Sequence, residues 1–90
     1  MNSKDRAKYN SKIIGQKTSN GTEIKSFSDH SYRRLAERRI SPSRVEQMLK
    51  QTPEESKQAP NCDVYKDCGA EVVVDRETGN IVTIMWTGKK

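Results

Sequence analysis

Ninety residues, of which 31% are hydrophobic and 32% charged, hold one small domain with a thin core. No apolar run approaches the ~20 residues of a membrane-spanning helix, and residues 1–6 lead into no apolar segment of the signal-peptide kind. Coiled-coil, collagen-like and repeat patterns are absent, and a dinucleotide-binding βαβαβ half would consume the whole length.

Seventeen Lys+Arg against twelve Asp+Glu give a net charge of +5. Residues 1–50 hold 12 basic and 5 acidic side chains, net +7, whereas residues 51–90 hold 5 and 7, net −2. A basic half beside a mildly acidic one fits a surface that meets a polyanion; a soluble protein with a Lys-rich arm fits the same totals. Cys62 and Cys68 lack the further ligands that a structural zinc site needs, since His30 is the only histidine. They suit either a short disulfide loop or, the slightly preferred reading, two free thiols flanking a turn. No metal site and no cofactor is expected.

Residues 1–26 are rich in Lys, Ser, Asn and Thr and are expected to be a connecting arm, mostly coil. Asn20-Gly21 marks a tight turn, across which residues 12–14 and 22–25 can pair weakly. The first expected helix covers residues 29–39. Ser28 or Asp29 caps it, Phe27 acts as a staple, and two arginines stand at its end. Tyr32, Leu35 and Ala36 fall on its inner side. Ser41-Pro42 then opens a second helix, to about residue 50, in which Val45, Met48 and Leu49 are buried; Ser43 with Glu46 offers an alternative capping box. Thr52-Pro53 stops it, and residues 51–60 form a polar loop.

Strands are expected over residues 63–66, 71–75 and 81–86, the last two joined by a hairpin at Gly79. Alternation puts Val82, Ile84 and Trp86 on one face, packed on the helices with Val72 and Val74. Ile81, Thr83 and Met85 then take the other face. The expected fold class is α+β: two N-terminal helices on a small antiparallel β-meander of three or four strands, any fourth coming from Ile13-Ile14. Residues 27–88 form the single domain.

His30, Arg34 and Arg38 recur every four residues and so line one side of the first helix. Like charges at this spacing repel, so an anion or a carboxylate, Glu37 being nearest, must compensate. A phosphodiester is a natural anion here: arginine's fork matches phosphate oxygens, and histidine carries protons near neutral pH. RNA cleavage without a metal needs a base, a cation at phosphorus and an acid. A lone surface histidine on a solvated arginine face has the same spacing, so the residues alone leave catalysis and plain binding both open. Thr83, Tyr65 and Trp86 are equally ordinary strand residues.

The run Phe27-Ser28-Asp29-His30-Ser31, continuing through Arg34 and Arg38 to Ile40-Ser41, resembles the opening helix of the barnase/EndoU/colicin/RelE-like ribonuclease toxin domains. The stretch Val72-Val73-Val74-Asp75, followed by Thr78-Gly79 and Ile81-Val82-Thr83-Ile84, resembles their "V-V-V-D-x-x-T-G-x-I-V-T" hairpin. The likeness covers roughly residues 20–88. It implies a metal-independent endoribonuclease, with tRNA as the expected substrate. His30 would be the general acid/base, Arg34 the phosphate clamp and Thr83 a hydroxyl at the scissile phosphate. Arg33, Arg38, Arg39, Tyr65 and Trp86 would contact substrate. Position 39, often glycine in such sequences, is Arg39 here. The resemblance further implies delivery as the C-terminal tip of a larger toxin into a target-cell cytoplasm. It also implies a cognate acidic immunity protein, and a monomer or a 1:1 complex with that inhibitor. The alternative is a non-catalytic basic RNA- or DNA-binding module, or a phage-related interaction domain.

Overall fold

A computed structural model describes residues 2–57, 59–67 and 69–86, with the side chain of Trp86 outside the described residues. In chain order the elements are α1 (Ser3–Ile13), β1 (Ser26–Phe27), α2 (Asp29–Arg38), α3 (Pro42–Leu49), β2 (Glu54–Glu55), β3 (Cys62–Asp67), β4 (Ala70–Asp75) and β5 (Asn80–Trp86). The fold is α+β, with three helices and one five-stranded sheet in the order β1-β5-β4-β3-β2. Both added strands are two-residue edges. β1 runs parallel to β5, and β2 pairs antiparallel with β3 inside the expected polar loop.

Capping chemistry explains α2 and α3. Ser28 accepts the Ser31 N–H, and Ser41 accepts the Arg44 N–H with proline just behind it. The Ser43–Glu46 box is not used as the cap. α2 ends in a Schellman arrangement: Arg39 donates to the Ala36 carbonyl and Ile40 donates to Leu35 at 3.1 Å. This turns Arg39 to φ 55°, ψ 43°, the left-handed region in which a non-glycine residue costs about 1 kcal/mol. That geometry is the physical reason glycine suits the position.

The N-terminal arm is a correction. Residues 3–13 are helical, capped by the Asn2 side chain, which accepts the Asp5 N–H. Only Tyr9 and Ile13 of α1 are buried, one turn apart. Docking rather than intrinsic amphipathicity therefore secures the helix. The Tyr9 hydroxyl donates to the Ile40 carbonyl, and its ring meets Phe27 edge-on at 6.2 Å. Beyond α1 the Asn20-Gly21 turn forms as expected, but the bridge across it joins Lys17 to Glu23 rather than residues 12–14 to 22–25. Ile13 enters the helical core and adds no strand.

The sheet face of β5 is a second correction. Val73 pairs with Thr83, but Val74 pairs with Ile81, so Val82 is the extra residue of a β-bulge. The bulge reverses side-chain parity on one side of it. Ile81 and Ile84 both enter the main core with Val72, Val74, Tyr65, Leu35 and Met48. Val82 instead packs on the opposite face, against a small cluster of Cys62, Val64 and Val73. Among the described residues no helix is long and apolar enough to cross a membrane.

Candidate nucleic-acid interface

Ser28 joins the start of α2 to the sheet. Its N–H donates to the Ile81 carbonyl at 3.0 Å, and its hydroxyl donates to the Val82 carbonyl at 2.6 Å while accepting from Ser31. Ser31, fully buried, returns a hydroxyl to the Ser28 carbonyl at 2.7 Å. The start of the helix is therefore tied to β5 at Ile81 and at the bulged Val82.

The first turn is held from the other side by α1. Arg6 lies over the Tyr32 ring at 4.5 Å and pairs with Asp29 at 3.4 Å. The Tyr32 hydroxyl donates to Asn10, and its ring stacks on Phe27 at 5.0 Å. Arg6, Tyr32 and Ser28 thus orient the segment that carries His30. None of the three was among the expected site residues. Ser28 carries a signal, as the cap two residues before the histidine; Arg6 carries none, because its segment has the composition of a polar arm.

His30 and Arg34 stand on the solvent side of α2 and touch: Arg34 Nε donates to His30 Nε2 at 3.4 Å. The compensating carboxylate is Glu37, whose Oε1 lies 3.4 Å from the Arg34 guanidinium. Arg33, Arg38 and Arg39 are exposed and form no ion pair among the described residues. The pair offers a proton acceptor beside a cation, with two further cations on the same short helix and Arg39 just past its end. It can bind a phosphate and move a proton next to it.

Thr83 lies apart from them. It lines a pocket of about 470 Å³ on the open face of the sheet, over an apolar floor that includes Val64, Val73 and Met85. α2 contributes no side chain to that pocket. The connection between the two sides is the Ser28–Val82 hydrogen bond: His30 follows it by two residues on the helix, and Thr83 by one on β5. The imidazole and the threonine hydroxyl flank one stitched edge but do not share one pocket.

Tyr65 is a correction. It is fully buried, and its hydroxyl donates to Thr18 Oγ1 at 2.8 Å, so it presents no surface to a substrate. Burial raises its phenol above the ordinary value. The side chain of Trp86 lies outside the described residues, as does Cys68. Cys62 is a buried free thiol, pushed up chiefly by burial.

The hairpin motif has architectural work. Asp75 Oδ1 accepts the Glu77 and Thr78 N–H groups at 2.7 and 3.1 Å, and Thr78 Oγ1 accepts the Asn80 N–H at 3.2 Å. Gly79 has φ +74°, and a Cβ there would stand 2.2 Å from the Glu23 carbonyl oxygen. The D-x-x-T-G pattern is thereby explained by a turn packed on the N-terminal hairpin. Among the described residues no group of three His, Cys, Asp or Glu side chains could hold a metal ion. No family model matches the chain, and no curated protein matches it.

Proposed function

We propose that the chain is an RNA-cleaving toxin domain that works without a metal, with the exposed side of α2 as its phosphate-facing surface. One observation carries the reading: His30 and Arg34 are in contact on an exposed helix face that holds two further arginines, Arg33 and Arg38. In the reaction His30 takes the proton of a ribose 2′-hydroxyl, and the 2′-oxygen attacks phosphorus. The bond from phosphorus to the 5′-oxygen breaks, and that oxygen takes up the proton returned by the imidazolium. The products are a 2′,3′-cyclic phosphate and a 5′-hydroxyl. Arg34 and its neighbours stabilise charge on the phosphoryl oxygens.

The +7 half of the chain would equally attract an acidic immunity protein, which blocks cleavage by covering α2. tRNA is the expected substrate, met in the cytoplasm of a target cell after delivery on a larger toxin. Total tRNA incubated with the protein in EDTA should yield fragments ending in cyclic phosphate, and His30→Ala should abolish them. The separation of Thr83 from the pair favours a second reading, a non-catalytic RNA-binding module. Tight RNA binding with intact RNA would select it.

A further inference from the structure

We propose that the cleft between α1 and the end of α2 is a second phosphate subsite, seating a nucleotide of single-stranded RNA away from the scissile bond. This rests on the ribonuclease reading and assigns Arg39 and Lys8 a role in it. Arg39 occupies the left-handed C′ position of α2, where glycine would relieve the backbone strain. Its side chain is exposed and makes no hydrogen bond or ion pair among the described residues that would offset the strain. The Schellman hydrogen bonds account for the left-handed backbone but not for an arginine in place of glycine, so the residue type points to a use of the side chain outside the fold.

The surroundings say what use. Arg39 and Lys8 border a cleft of about 330 Å³ whose floor is Leu35, Ala36 and Pro42. Asp5 stands at the same rim, 4.0 Å from the Lys8 ammonium. Two cations above an apolar floor match a nucleotide, with its phosphate on the rim and its sugar or base against the floor. Asp5 leaves the rim at net +1, which favours a single phosphate over a dense polyanion. The helix runs eight residues beyond His30 before Arg39, about 12 Å along the axis. A phosphate bound in the cleft is therefore not the scissile one beside His30. Arg38 lies between the two places, so the cations continue from one to the other.

The test uses the full chain and a short 2′-O-methyl RNA oligonucleotide, which binds but cannot be cleaved. Dissociation constants are measured over a series of salt concentrations, with melting temperatures, for wild type, Arg39→Gly, Arg39→Lys and Lys8→Gln. Arg39→Gly should melt about 4 °C higher yet bind about three- to tenfold more weakly, with a salt slope smaller by about one. Arg39→Lys should keep most of the affinity without the gain in melting temperature, and Lys8→Gln should lose affinity as Arg39→Gly does. If Arg39→Gly leaves affinity and salt slope unchanged, or lowers the melting temperature, the subsite is overturned and the ribonuclease reading stands. If the subsite variants behave as expected while His30→Ala still cleaves RNA at the wild-type rate, the catalytic reading fails alone. No affinity of the wild type for the oligonucleotide overturns both.

Discussion

The two sides of α2 differ in what they are attached to. On the inner side Ser31, Tyr32 and Leu35 are buried, the first two by specific hydrogen bonds to Ser28 and Asn10, the third in the main core. On the outer side, among the described residues, Arg34 touches His30 and Glu37, and Arg33 and Arg38 form no ion pair. Neighbours in sequence thus answer to different demands: inner residues hold the helix on the sheet, and outer ones are free to meet an anion. Variants of the inner side should change stability first, and variants of the outer side should change chemistry alone.

The largest effect belongs to the inner side. Leu35→Ala should cost about 2–5 kcal/mol, read as a fall in the denaturant midpoint, and lower RNA cleavage only in proportion to the folded fraction. Arg34→Ala, one position away, should reduce cleavage by roughly a hundredfold or more while the midpoint stays within about 0.5 kcal/mol. Ser28→Ala sits where the two sides meet. Losing the cap and its tie to Val82 should cost about 1–2 kcal/mol and also slow cleavage beyond the loss of folded protein. A pure stability effect there would show that the helix start does not set the position of His30.

The smallest effect is at alkaline pH. Burial holds the Tyr9 and Tyr65 phenols above their ordinary value of 10.0 in the folded protein. Their contribution is complete below pH 10 and is lost as pH rises through the folded values, because the unfolded chain ionises first. The melting temperature should decline above pH 10, and less steeply in Tyr65→Phe, which removes one of these two buried phenols. An unchanged alkaline slope in that variant would mean Tyr65 is not protected from ionisation.

Legibility in the sequence followed the same divide between local and tertiary causes. Ser28 and Ser41 announce α2 and α3 because capping is local chemistry, and the β-branched runs announce β4 and β5 for a similar reason. α1 carries only Tyr9 and Ile13 on its buried side, too sparse a pattern to stand out from a polar arm. β1 and β2 are two residues each and exist only because β5 and β3 are beside them. The bulge at Val82 has no signature of its own within an even apolar strand, so the expected faces of Ile81 and Val82 were exchanged. The outer side of α2 was readable from its four-residue spacing. That Tyr65 lies in the core and that Thr83 opens onto a different pocket depend on sheet registration and could not be read from spacing.

The central claim is that the outer side of α2 performs proton transfer at a phosphodiester. Its most direct measurement is the initial rate of tRNA cleavage in EDTA by wild type and His30→Ala, compared at equal melting temperature, with the fragment ends identified. The account predicts cyclic-phosphate ends, a rate lower by about 10²–10⁴-fold in the variant and no difference in stability. Equal rates from two equally folded proteins would contradict it.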